Sequence, residues 1–486
     1  MQTIRITEAN ASHLIRREHI LNGLSRVART DVISDDAALC AYRTGALGIS
    51  QTMPLAVVLP RTTAEVSRIL KFCNQNRVKA VARGGGTSVS GGVLPPGDSI
   101  VIGLSRMNRV LDINIVDRTA TVEAGITNAE ISKAVVHARL FYAPDPSRGA
   151  ASTIGGNVAT NAGGPRSLKY GVTANNVLKV KVVLTNGDVV ELGGDYLDGQ
   201  GYNLLGLVMG SEGQFGIVTE VTVRLLRQAE GARLILIGFT SSKEAGACAA
   251  AIIAAGLTPV AMEFMNKTAV QVCEPYAKAG YPLDAEAMLI VELEGSEHEI
   301  GGRIDDIEEI AARFGPTSFR VSQSEKEVAA IWKGRKASLA AAGRNANFFC
   351  ADGVVPLTRL VPVLQQIEET ARAANLDAAI VASAGQGHLE TMILYNGNDE
   401  REKEAAERCA ADSLKLCVDA GGSLSGGHGI GLAKRDLMRT QYSDADLRQQ
   451  MRVKAAFDPE WLLNSGKVFP LDLQSAFAAE AETKHG

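Results

Sequence analysis

The run Arg83-Gly-Gly-Gly-Thr-Ser-Val-Ser-Gly-Gly92 decides how this chain is read. It follows the short apolar stretch Val78–Ala82 and holds five glycines, one threonine and two serines. Glycine lets the backbone reach positive φ and approach a ligand closely, and consecutive N–H groups then form a concave anion site. The run lacks the Lys-Ser/Thr ending of an ATP-binding P-loop and the GxGxxG spacing of a Rossmann turn. Its chemistry fits either a phosphate-bearing ligand or a purely structural glycine turn.

Outward from this run the chain alternates β and α signals. Ala56–Leu59 reads as a strand, and Thr62 with Glu65 as a capping box. Val66, Ile69, Leu70 and Cys73 give one helical face. Ile100–Leu104, Val110–Ile115 and Thr119–Glu123 are short β runs, and Thr127 with Glu130 opens another helix. Asn186-Gly187 predicts a two-residue hairpin, and a strand around Ile217–Leu226 closes the region near residue 228. Beyond it, strands at Arg233–Phe239, Met288–Glu294, Phe348–Val355 and Ala378–Ala382 alternate with helices at Ser242–Ala255, Glu297–Phe314, Leu357–Ala374 and Asp399–Val418. That rhythm predicts an α+β unit with a mainly antiparallel sheet and helices on one face.

At 486 residues the chain is long enough for two or three domains. Its 46% hydrophobic and 21% charged content is that of a globular protein. A formal charge of −4 gives no nucleic-acid footprint. No apolar run reaches the ~18 residues of a membrane span, and the N-terminus has no secretory h-region. Seven cysteines are scattered without a CxxC pair, which predicts reduced thiols in the cytoplasm and no iron–sulfur cluster on this chain.

Three further glycine-rich stretches follow: Ala151–Gly171, Gly210–Thr219 and Gly421–Gly431. Four such stretches, mixed with Ser, Thr or Asn, point to one extended ligand. The order PLAVVLPRTTAEV, RGGGTSVSGG, PDPS, STIGGNVATNAGG, GSEGQFGIVTEV, HGIG and KAAFDPEWLLNSGK, spanning about Pro54 to Lys467, resembles the flavin-dependent 2-hydroxy-acid dehydrogenases. These belong to the vanillyl-alcohol-oxidase/para-cresol-methylhydroxylase superfamily and include glycolate oxidase flavin subunits, D-lactate dehydrogenases and D-2-hydroxyglutarate dehydrogenases. The resemblance implies a two-subdomain FAD-binding domain over 1–228, its core at about 54–228, completed by about 432–486. It places an α+β substrate-binding cap with a mainly antiparallel sheet over 229–431.

The resemblance also implies site residues. Arg83, Gly84, Gly85, Gly86, Thr87 and Ser88 would wrap the FAD pyrophosphate, and Gly91 and Gly92 would continue the turn. Pro144, Asp145 and Ser147 would border the isoalloxazine. Ser152, Thr153, Gly155, Gly156, Asn157, Ala162 and Gly163 would line flavin and diphosphate. Glu212, Gly216, Ile217 and Val218 would meet the adenine and ribose, and Asn464 would return to the flavin. Relatives that bond FAD covalently use a histidine where this chain has Thr87, so the flavin is expected to be non-covalent. His428 is the expected proton acceptor for a substrate hydroxyl while flavin N5 takes the hydride. Arg335 and Lys336 are expected to grip a substrate carboxylate, with Arg344 as a second option.

The chain departs from its metal-dependent kin. Two histidine ligand positions are Ser383 and Glu390, the acidic position is Gln386, and a glutamate ligand is Gly427. These losses predict no metal; the counter-reading is a site rebuilt from His388, Glu390 and His428. The expected activity is oxidation of a small D-2-hydroxy acid, with electrons passed to a quinone, cytochrome, flavoprotein or iron–sulfur subunit. The alternatives are a different alcohol, or a flavin-binding subunit without substrate chemistry. A homodimer is common among such kin, and the expected location is the cytoplasm or the inner face of the membrane.

Overall fold

The computed structural model describes residues 8–45, 52–147, 149–196 and 201–483. A four-stranded sheet comes first. Ala56–Val58 and Lys79–Arg83 both run parallel to Ser99–Gly103, and Val32–Ile33 adds an antiparallel edge. The helix Thr63–Gln75 buries Val66, Ile69, Leu70 and Cys73, as its periodicity predicts. Its cap is half a capping box: Thr62 accepts from the Glu65 N–H at 3.2 Å, but the Glu65 carboxylate takes the Arg61 N–H instead. At Asn128–Val135 the Thr127/Glu130 box is complete.

The second sheet is antiparallel throughout, in the order Val110–Asn114, Thr119–Glu123, Ile217–Arg224, Val177–Val183 and Val189–Gly193. The Asn186-Gly187 hairpin forms, but Leu184 and Asp188 close it around three residues rather than two. Thr185 is drawn inward, its hydroxyl donating to the Phe457 carbonyl. The C-terminal part returns to the first sheet, where Leu463 bridges Ala80 and the Asn464 N–H donates to the Ala80 carbonyl. Fully buried Lys454 fixes that return through Asp458 and the carbonyls of Gln214 and Leu463.

A seven-stranded antiparallel sheet forms the second half, in the order Ser318–Val321, Gly231–Phe239, Ala287–Gly295, Ala261–Asn266, Asp377–Ser383, His388–Tyr395, Asn347–Val354. Three of these strands, Ala261–Asn266, Ser318–Val321 and His388–Tyr395, are absent from the sequence reading. One face packs Ile235, Phe239, Phe264 and Leu289 against the expected helices Ser242–Ala254, Glu297–Ala312, Leu360–Ala373 and Glu400–Asp419. The expectation of helices on one face only is corrected here. Leu236, Met265 and Ile290 on the opposite face pack against Lys267–Ala277, Glu325–Lys336 and Ser338–Asn345. Strands buried on both faces need cover on both, because each face is apolar. Part of this inner face meets the first half directly, with Arg166 bonded to buried Glu292 at 2.8 Å.

Candidate functional site

Between the two halves lies a cleft with about 1600 Å³ of empty space, its solvent-open mouth included. The strand Lys79–Arg83 delivers the glycine run to one wall. The N–H groups of Gly84, Gly85 and Gly86 meet no protein acceptor among the described residues. Three adjacent free donors form an anion nest. A Cβ on Gly84 would lie 2.2 Å from the Thr153 hydroxyl, and one on Gly85 would lie 2.1 Å from the Ala151 carbonyl oxygen. Gly86 takes φ +70°, where a side chain is strained.

The residues expected at a cofactor largely converge on this cleft. Arg83 to Ser88, Ser147, Ser152, Thr153, Gly155, Gly156, Asn157, Ala162, Gly163, Glu212, Gly216, Ile217, Val218 and Asn464 all line it. Several side chains are already engaged. The Arg83 guanidinium donates to the carbonyls of Tyr42 and Thr44, so this residue can offer the cleft little but backbone. Asn157 donates to Asn128, which donates to the Pro144 carbonyl. Pro144 and Asp145 do not line the cleft, and the expectation for them is corrected. Asp145 instead pairs with Lys336 at 2.5 Å. Glu212 lines the cleft, and its carboxylate accepts from the N–H groups of Ile430 and Gly431 at 2.6 and 2.8 Å, which clamps the HGIG loop. Burial nevertheless pushes its carboxyl above the usual range.

The opposite wall is the inner face of the seven-stranded sheet. Antiparallel register sets Glu263 beside Ser383 and Ser383 beside His388. One step along, Glu390 sits beside Asp352. Residues i and i+2 share a face, so all five project inward. Arg335, from the last turn of Glu325–Lys336, donates to Glu263 at 2.6–2.7 Å and approaches Glu390 at 3.8 Å. His428 Nε2 lies 3.5 Å from Glu390 Oε1. Burial would raise Glu390, but the bond to His428 and the charge of Arg335 outweigh it and hold the carboxyl low. Burial opposes a charged Asp352 as well, yet Lys434 and both histidines hold it well below its usual range.

Asp352 organises the HGIG loop. It accepts from the N–H groups of Gly426 and His428, from the Ser425 hydroxyl and from Lys434, and it pairs with His388. The other side of the loop is tied to the glycine run, Ser88 donating to the His428 carbonyl and Ser90 to that of Gly429. Arg344 is not part of this site. It is exposed and sits over the Tyr276 ring, 4.9 Å from its centroid, because its helix turns it outward. Among the described residues no group of three or more His, Cys, Asp or Glu side chains is placed to hold a metal. Sequence reasoning missed Glu263, Asp352 and Lys434. The available signal was a carboxylate inside each of two apolar β runs.

Residues 54–193 match the FAD binding domain and residues 228–468 the C-terminal domain of FAD linked oxidases. Glycolate oxidase subunit GlcD of Escherichia coli (strain K12) is 40% identical over 474 residues, covering 97% of this chain and 95% of that protein. The chain belongs to the FAD-linked oxidases. A second relative, the mitochondrial D-lactate dehydrogenase [cytochrome] of Arabidopsis thaliana, is 31% identical over 86% of this chain and 74% of its own. The fold is that of p-cresol methylhydroxylase with substrate bound, at a TM-score of 0.78 and 15% identity over 96% of this chain and 98% of that one. FAD is therefore the cofactor, and the chain is an FAD-dependent oxidoreductase acting on CH–OH donors. The free N–H groups and the side-chain-free approach at Gly84 and Gly85 suit its diphosphate. Gly85→Ala should lower the flavin content of purified protein at least several-fold, because the added Cβ meets backbone that cannot move aside. The ratio of flavin to protein absorbance checks it.

Proposed function

We propose that this FAD-linked oxidase oxidises a small D-2-hydroxy acid of the glycolate, D-lactate or D-2-hydroxyglutarate class and passes the electrons to an external acceptor. The observation that carries the reading is His428, whose ring enters the cleft beside an ionised Glu390 on the wall facing the glycine run. FAD bound here supplies the acceptor for the substrate's hydride. His428 takes the hydroxyl proton, and Glu390 stabilises the imidazolium that forms. Lys336 and Arg335, whose Nη1 makes no hydrogen bond among the described residues, hold the carboxylate. Gly84, Gly85 and Gly86 hold the pyrophosphate through backbone, with Thr153, Gly155, Gly156, Gly163, Gly216 and Asn464 around the rest of the cofactor.

No metal takes part in this reading. Ser383 and Gly427 offer no ligand, and both histidines have carboxylate partners. The flavin is non-covalent, since Thr87 has only a hydroxyl, 3.2 Å from that of Ser152. Acid precipitation is expected to leave all the yellow colour in the supernatant; colour in the pellet would sink this point. The FAD-binding unit is residues 1–228 completed by 432–486, and the cap is 229–431. The enzyme is taken as a cytoplasmic homodimer, peripheral to the membrane at most. No helix among the described residues is long and apolar enough to cross a membrane.

Anaerobic mixing with glycolate, D-lactate, D-malate and D-2-hydroxyglutarate tests the reading. At least one is expected to bleach the oxidised flavin's visible absorbance. Bleaching only by simple alcohols would replace the substrate class. Reduction by dithionite but by no organic donor would make this a flavin subunit without substrate chemistry.

A further inference from the structure

The cleft wall holds three buried polar atoms that the proton transfer does not use. Glu263 Oε1, Arg335 Nη1 and Ser383 Oγ have no hydrogen-bond partner among the described residues, although their residues are 0%, 5% and 4% exposed. All three residues line the cleft. The atoms belong to one cluster: Glu263 and Ser383 are cross-strand neighbours, and Arg335 donates to the other Glu263 oxygen at 2.7 Å. Burial pushes the Glu263 carboxyl above its usual range, opposed by the charge of Arg335 and by the neighbouring Ser383 hydroxyl. An unsatisfied buried polar group is costly, so three together at a cleft mark a place where a ligand completes the bonding.

Resting on the 2-hydroxy-acid reading, we infer that Glu263 and Ser383 form a subsite for a second substrate hydroxyl, so that the preferred substrates are small 2,3-dihydroxy acids. The substrate carboxylate accepts from Arg335 Nη1. The C3 hydroxyl lies against Glu263 Oε1 and Ser383 Oγ. A hydroxyl both donates and accepts, so it satisfies a carboxylate oxygen and a serine together. A methyl group there would leave both unpaired. A second carboxylate would face Glu263 and Glu390, both buried and only one Arg335 away from each other, and like charges at such a distance repel strongly. The oxidation itself is unaltered. The C2 hydrogen leaves with its electron pair to the flavin, the C2 hydroxyl proton goes to His428, and a 2-oxo acid with its C3 hydroxyl intact remains.

D-Glycerate and D-lactate differ only by that hydroxyl, which makes them the probe pair. The measurement is anaerobic stopped-flow reduction of the holoenzyme's flavin by each, together with glycolate and D-malate. A site built to bond a hydroxyl rejects the analogue lacking it, by up to ~10⁴–10⁵-fold in well-formed cases. Here the second-order rate constant is expected to favour D-glycerate over D-lactate by about 10²-fold or more. D-Malate should be the poorest of the four. Ser383→Ala should cut the glycerate-to-lactate ratio at least ~10-fold, the scale of one lost hydrogen bond. Glu263→Gln, which keeps the shape but not the charge, should shift D-malate relative to D-glycerate. Equal rates with glycerate and lactate, or a ratio untouched by Ser383→Ala, would overturn the subsite while leaving the 2-hydroxy-acid reading intact. Failure of these four acids and of D-2-hydroxyglutarate to reduce a flavin that dithionite reduces would remove both.

Discussion

Replacing His428 with alanine is expected to slow reduction of the flavin by its hydroxy-acid substrate by about 10²–10⁴-fold, the usual weight of a positioned general base. FAD content should stay unchanged. The separation is possible because the loop does not depend on the imidazole. Its main chain is held by Asp352 at the His428 N–H and by Ser88 at the His428 carbonyl, while among the described residues the ring pairs with Glu390. Glu390 is held ionised by its neighbours, so it supports the proton that arrives on the ring and cannot readily take it instead. Stopped-flow reduction and the flavin-to-protein ratio, measured on one preparation, check both halves. An unchanged reduction rate would remove His428 from the chemistry.

The same loop shows what the sequence makes legible. The glycine runs, the Thr127/Glu130 cap and the amphipathic helix Thr63–Gln75 are local signals, and each appears where local chemistry puts it. His428 stands out through the match of its HGIG run to the flavin-dependent kin, since a histidine in a glycine turn can as well satisfy a backbone carbonyl. Glu263 does not stand out. Its strand, Ala261–Asn266, is buried along its whole length, so it shows no period-two alternation and its one carboxylate reads as an interruption. Asp352 sits within an anticipated strand, yet the Lys434 that balances its charge is 82 residues away. Partners so distant exist only once the sheet has formed. Arg344 illustrates the reverse error. Its neighbour Arg335, nine positions earlier, faces the cleft from another helix, and composition cannot distinguish the two orientations.

Asp352→Asn should be the most destabilising single change at the site. The substitution keeps the shape but leaves Lys434, 4% exposed, without its counter-charge. Breaking a buried pair by removing one partner costs about 3–5 kcal/mol. The effect has a definite pH signature. Asp352 is held below its usual range, so its contribution is complete above the ordinary carboxylate pKa of about 3.9 and disappears as pH falls through its lower folded value. His388 behaves oppositely. Burial disfavours its charge, but Asp352 more than compensates and raises it. That contribution is complete below about 6.5 and fades as pH rises through the raised folded value. The stability gap between wild type and Asp352→Asn should therefore be widest from about pH 4 to 6.5. It should narrow on the alkaline side to the share carried by Lys434. Thermal midpoints of both holoproteins at pH 5.5 and pH 9 measure this. A gap of the same size at both pH values would mean that His388 is not charged against Asp352, and the pair would then serve only to orient the loop.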